Sequence, residues 1–220
     1  MSSPTVRVVA VPGLGLDARS FRRLWAEVSP TVVVLPGMGA RASVPPLDVA
    51  ADLLLAELGD GPVLLVGHAP SCQVVVAAAQ RDSRVIGVVL LGPTTDPRLR
   101  RLPVLAWRWL RTAFHEPLWQ APLILAQWAR TGPRAMIALW RTTAPDRIDQ
   151  RLPDVHVPVT VVRGSRDRLC PHDWAAHLAD VARRGRLVEL PGAAHMTVQT
   201  HRDGVAAVVV GSAALTRRGR

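Results

Sequence analysis

Six short runs of β-branched and aliphatic residues recur along this chain, at 5–11, 31–35, 62–66, 85–91, 157–162 and 186–190. They are apolar almost throughout instead of alternating with polar residues, which is the pattern of strands buried on both faces. Stretches of helical periodicity lie between or after them, at 20–28, 48–58, 71–80, 173–181 and 203–215. Strands alternating with helices predict an α/β fold, with a mostly parallel sheet of about six strands and helices on both faces. A length of 220 residues suits one such unit, so residues 1–220 are read as a single domain.

The rhythm breaks at 97–151. This segment has no strand candidate and holds five of the seven tryptophans: Trp107, Trp109, Trp119, Trp128 and Trp140. Pro103, Pro117, Pro122, Pro133 and Pro145 divide it into short helices. It is read as a helical lid over the C-terminal edge of the sheet. Most of its tryptophans are expected to pack the insertion onto the body, with one or two lining an apolar pocket. Arg and apolar residues mingle from Arg98 to Arg111 as in a membrane-surface helix, but Pro103 in the middle argues against that reading.

Four strand ends carry the candidate chemistry. Gly13-Leu14-Gly15 follows the first run, and such a Gly-rich turn lets a backbone N–H face a ligand. The third run ends in Gly67-His68-Ala69-Pro70-Ser71, a sharp strand-to-helix turn. Asp167 lies in the loop after the fifth run, and His195 in the loop after the sixth. An acid on one ring nitrogen of a histidine fixes the tautomer and supports the cation, leaving the other nitrogen for the reacting group.

Taken in order, these segments resemble the α/β-hydrolase superfamily, of the small lidded esterase, thioesterase and lyase type. The likeness spans nearly the whole chain, including the turn Pro36-Gly37-Met38-Gly39. It implies that residues 67–71 are the nucleophile elbow, a form of Gly-x-Ser-x-Gly, with Ala69 in the nucleophile slot. Asp167 and His195 then complete a triad. Gly13 and Leu14 form the oxyanion loop, Leu14 supplies a donor, and His68 packs beside the elbow. Ser71, two residues past the apex, is expected to point away from it, and Cys72 is a weaker substitute still. Asp17 reads as a cap or turn residue, and His172 and His177 as helix-surface residues.

Two residues depart from the family pattern. Alanine cannot attack a carbonyl, so Ala69 forbids an acyl-enzyme. Pro70 stands where the residue after the nucleophile normally donates an oxyanion-hole N–H, and proline has none. Loss of one such donor costs about 3–4 kcal/mol of transition-state stabilisation. Either Ala69 replaces a Ser, and the chain is a disabled hydrolase or acyl-transfer enzyme for a small, largely apolar ester, thioester or acyl-bearing compound. Or Ala69 is native, and His195 with Asp167 acts as a general base in elimination, isomerisation or cyclisation. A binder that has lost its chemistry is a third class, disfavoured because Asp167 and His195 are both retained.

Composition narrows the partners. The net charge of +10 comes entirely from arginine, since lysine is absent along with asparagine and tyrosine. The arginines are dispersed apart from 98–111 and the tail 217–220, and no nucleic-acid recognition motif accompanies them, so no nucleic acid is expected. The field would still attract an anionic substrate or a carrier-bound acyl group. The two cysteines, Cys72 and Cys170, read as buried hydrophobes, with neither a disulfide framework nor metal-ligand spacing. No cofactor is expected, because Ala18 takes the third place of a Gly13-x-Gly15 nucleotide fingerprint, a place that the looser form of the motif fills with Gly or Ala, and the turn fits an oxyanion loop better. No signal sequence or membrane-spanning run is seen, so a cytoplasmic location is expected.

Overall fold

The computed structural model describes residues 6–24 and 28–218. Its main sheet has six strands: β1 (Arg7–Val11), β2 (Thr31–Val32), β5 (Val63–His68), β6 (Val85–Leu91), β7 (Val159–Gly164) and β8 (Gly185–Leu190). Their order is β2-β1-β5-β6-β7-β8, and every neighbouring pair is parallel. All C-terminal strand ends therefore open on one edge, where ligands of open α/β sheets bind.

Each apolar run feeds two cores at once. Val9, Leu65, Val88 and Val161 point into the layer formed with α1 (Leu47–Ala56), α2 (Ser71–Ala79) and α7 (His172–Val181). Ala10, Leu64, Val66, Val89 and Val162 point the other way, towards Phe21, α8 (Thr197–Thr200) and α9 (Arg202–Arg218). Side chains alternate across the sheet, so burial on both faces requires a continuous apolar run. The buried α2 shows the same logic, with Val74, Val75 and Val76 wholly enclosed.

Three local expectations are corrected. The run at 31–35 is not one strand: only Thr31–Val32 pairs with β1, while β3 (Leu35–Pro36) and β4 (Gly39–Ala40) form a separate pair. The Gly15 N–H donates to the Gly37 carbonyl at 2.8 Å, which ties this turn to the first Gly-rich loop and draws the chain off the sheet edge. The helix expected at 20–28 is instead a 3-10 segment over Ala18–Leu24, and 25–27 lie outside the described residues. Pro103 does not stand in the middle of a helix over 98–111. It sits in the first turn of α3 (Leu102–Ala113), where its missing N–H leaves no intrahelical bond unmade.

Between β6 and β7 the chain makes a wholly helical excursion: α3, α4 (Ala121–Thr131), α5 (Pro133–Thr143) and α6 (Ile148–Arg151), joined by 3-10 turns. Buried polar groups fasten it to the body. Gln127 Oε1 accepts from the Asp17 N–H at 2.7 Å and from Ser20 Oγ at 2.9 Å, and Thr131 Oγ1 donates to the Gly15 carbonyl at 3.0 Å.

Candidate active site

Ala69 stands immediately past β5 with φ +53, one of two non-glycine residues in the left-handed region among those described. Its N–H donates to the Leu91 carbonyl at 2.9 Å, and its own carbonyl accepts from the Cys72 N–H at 3.1 Å. Pro70 follows at φ −68, opening α2. The turn thus keeps the strained geometry that presents a central side chain at the sheet edge, and the side chain it presents is a methyl group, only 5% exposed.

The neighbours cannot take over its role. Ser71 Oγ accepts from the His68 N–H at 2.7 Å and lies 2.8 Å from the Val11 carbonyl, so the hydroxyl braces the turn against β1. Cys72 is fully buried, and burial pushes its thiol well above the usual range, keeping it protonated.

The acid and the histidine meet as the sequence order predicts. His195 Nδ1 and Asp167 Oδ2 are 2.7 Å apart. The other Asp167 oxygen accepts from the N–H groups of Leu169 and Cys170, at 2.8 and 3.1 Å, so the wholly buried carboxylate is held from both sides. The buried Arg163 guanidinium donates to the Asp167 and Cys170 carbonyls and also meets Glu189, which shapes the acid loop from below. Burial opposes protonation of His195, yet the charge and hydrogen bond of Asp167, with the Glu116 charge, outweigh it and hold the imidazole above its ordinary value. Nε2 makes no hydrogen bond among the described residues and is not fully enclosed, so it is the nitrogen left for chemistry.

His68 packs against this pair. The two imidazole rings lie 5.1 Å apart, and His68 Nε2 is 3.2 Å from the His195 carbonyl. Complete burial, reinforced by the His195 charge, pushes His68 down to about 3. It is therefore neutral, with Nε2–H donating to that carbonyl. Its Nδ1 has no partner and faces Gly13, where a Cβ would come within 2.7 Å. The residue at 13 must be glycine for His68 to occupy its place. Next to it, the Leu14 N–H has no acceptor among the described residues, which leaves it available to an oxyanion. The sequence-derived set of Gly13, Leu14, His68, Ala69, Pro70, Asp167 and His195 is thus gathered along one edge of the sheet.

Two participants were not found by sequence reasoning. Gly92 follows β6 at φ +53, and a Cβ there would stand 3.0 Å from His195 Cε1 and Nδ1 and 3.2 Å from Asp167 Oδ2. Glu116, in the helical insertion, accepts from the Met196 N–H at 2.7 Å and from Gln120 Nε2 at 2.6 Å, so it clasps the histidine loop. Only the strand-end position of Gly92 hinted at a role, and nothing local marked Glu116. Among the described residues no cluster of three His, Cys, Asp or Glu side chains is arranged to hold a metal ion.

Comparison with known proteins agrees with this geometry. The model of the alpha/beta hydrolase family matches residues 8–208. No curated protein matches the sequence. Several solved structures share the fold at low identity. A hydrolase from Oleispira antarctica has a TM-score of 0.76 at 14% identity, covering 97% of this chain and 92% of that one. MenH from S. aureus gives 0.75 at 14% identity, with 98% and 96% covered. A bromoperoxidase from Bacillus anthracis gives 0.74 at 16% identity, with 96% and 92% covered. A parallel sheet in this order, a strained elbow after β5 and an acid–histidine pair after β7 and β8 accord with a family match over nearly the whole length: the chain belongs to the alpha/beta hydrolase family.

Proposed function

We propose that this chain is an enzyme of the family that acts on a small, largely apolar, acyl-bearing compound by general-base chemistry at His195, without a covalent nucleophile. The observation that carries the reading is the intact His195–Asp167 pair beside an elbow reading Ala69-Pro70. A tetrahedral adduct would need the two oxyanion donors usual in this fold, and Pro70 withholds one of them. Proton abstraction needs no nucleophile, and where the leaving group departs in concert little charge gathers on the carbonyl oxygen, so a single donor at Leu14 suffices. His195 Nε2 takes a proton from the substrate carbon next to the acyl carbonyl, the C–H electron pair forms a double bond, and a leaving group departs with its bonding electrons. Asp167 stabilises the imidazolium that results. The helical insertion is read as a lid that keeps water from the site, and its half-buried tryptophans as part of the apolar wall.

A second reading rests on Ala69 itself, which holds the φ +53 conformation of a working elbow. Under it the chain is a serine hydrolase for esters or thioesters that lacks its serine. One experiment separates the two, with a third arm for a non-catalytic binder. The chain as it stands, His195→Ala and Ala69→Ser are assayed on short p-nitrophenyl esters, acyl thioesters and β-substituted acyl compounds. The base reading expects turnover by the unaltered chain that falls about 10²–10⁴-fold in His195→Ala. Turnover that appears only in Ala69→Ser and again requires His195 would establish the serine reading instead. Ligand binding with no product from any variant would leave only the binder.

A further inference from the structure

The helical insertion turns an apolar surface outward. Along α3 and its cap the residues Pro103, Ala106, Trp107, Leu110, Arg111 and Phe114 fall at the spacing of one helix face, and all six are exposed. A helix packed on a body usually buries its apolar stripe; this one shows it to solvent. Trp107 is 58% exposed, Phe114 79% and, in the following turn, Leu118 88%. Of the thirteen large hydrophobic side chains exposed among the described residues, eight lie in the insertion, so the feature is a local concentration and not the scatter of an ordinary surface. On α4 the row Pro122, Leu125, Ala126 and Ala129 repeats the pattern and ends at exposed Arg130.

The charge on this surface has one sign. From 97 to 145 the sequence has eight arginines and a single acid, Glu116. That carboxylate is turned inward onto the Met196 N–H and Gln120. Arg98 is occupied by Asp96 and Asp173, and Arg100 by the Pro145 and Asp146 carbonyls. Arg101 remains exposed just before the apolar row and Arg111 within it, the latter 5.9 Å from the Trp107 ring centre.

We infer that this face is a docking surface for an anionic phospholipid bilayer, with Trp107, Leu110, Phe114 and Leu118 entering the headgroup boundary and Arg101 and Arg111 meeting lipid phosphates. Among the described residues no helix is long and apolar enough to cross a membrane, so contact of this kind is peripheral. Interfacial helices combine apolar and aromatic anchors with arginine, and anionic headgroups supply the charge this surface lacks. A second copy is a poorer fit. A two-fold contact would set the surface against itself, arginine facing arginine with no carboxylate to offset them. The objection from Pro103 falls away, because that residue lies in the first turn. The inference is independent of the chemistry at Ala69.

Vesicle flotation of the intact chain tests it, using phosphatidylcholine alone and an equal mixture with phosphatidylglycerol, each at low and high salt. The protein floats with the anionic vesicles at low salt, and its tryptophan emission shifts to the blue. Arg101→Gln/Arg111→Gln lowers the partition coefficient about 25-fold, from about fivefold for each cation near an anionic surface. Phe114→Ser/Leu118→Ser abolishes flotation, while Val49→Ser/Leu53→Ser, on exposed positions of α1, leaves it unchanged. Circular dichroism and melting confirm that each variant is folded. Absence of flotation, equal binding to neutral and anionic vesicles, or undiminished binding by either insertion variant overturns the proposal. So does dimerisation in sedimentation that these variants abolish without any lipid binding.

Discussion

Replacing Gly92 by alanine should disturb the acid–histidine pair without altering either of its members. Two costs add. The backbone at 92 has φ +53, and a Cβ in that region costs about 1–2 kcal/mol. The new methyl would also stand 3.0 Å from two atoms of the His195 ring and 3.2 Å from Asp167 Oδ2. Neither neighbour yields freely: the pair is buried, joined at 2.7 Å, and Asp167 is fixed by two further N–H groups. Forcing a methyl into a packed site adds about 1–3 kcal/mol. Gly192 supplies the control. It has φ +76, yet a Cβ there meets nothing within 4 Å, so Gly192→Ala reads the backbone cost alone. Urea unfolding should show a loss of about 1–2 kcal/mol for Gly192→Ala and about 2–5 kcal/mol for Gly92→Ala. For a chain of this size each kcal/mol lowers Tm by roughly 2–4 °C. His195-dependent turnover should fall in Gly92→Ala and persist in Gly192→Ala. Equal losses in the two variants would refute the contact with the acid–histidine pair.

Further outcomes follow from the charges around the two histidines. Glu116→Gln keeps an acceptor for the Met196 N–H but removes a negative charge that favours His195 protonation, so the His195 titration followed by NMR should move to lower pH, and the pH limb of any base-dependent turnover with it; an unmoved titration would show Glu116 to be a clasp only. Because folding raises His195, the stability it brings is complete below about pH 6.5 and is lost as pH rises through the folded value, and Asp167→Asn should abolish that dependence in urea unfolding between neutral and alkaline pH. His68 works in the opposite sense. It is held down to about 3 while the unfolded chain binds a proton near its ordinary value, so stability is full above about pH 6.5 and falls towards about pH 3. At about pH 5 the loss is about 2 kcal/mol, and His68→Gln, which retains an N–H donor, should flatten it. A chain equally stable at both pH values would show that His68 is not held neutral.

How much of this protein was legible in its sequence depends on the distance over which each feature is encoded. The strand runs were readable because burial on two faces imposes a local pattern, and 85–91 coincides with β6 residue for residue. Parallel pairing brings all strand ends to one edge, so the order elbow, acid, histidine anticipated the meeting of Asp167 and His195 on the edge that also carries Ala69. Pro70 was equally legible, since a missing N–H is a property of the residue and not of its surroundings.

Tertiary structure decided the rest, where the cause lies between residues far apart. The run at 31–35 looks like one strand, but a hydrogen bond from Gly15 to Gly37 takes it off the sheet. Pro103 read as the middle of the 98–111 stretch until the start of α3 placed it in the first turn. Glu116 and Met196 are separated by eighty residues and share no periodicity, so only folding could reveal their hydrogen bond. The mingling of Arg and apolar residues over 98–111 suggested a membrane-surface helix, but composition does not say which face is exposed. Which face meets the body and which meets solvent is set by the neighbours a helix finds, and here they leave its apolar face outside.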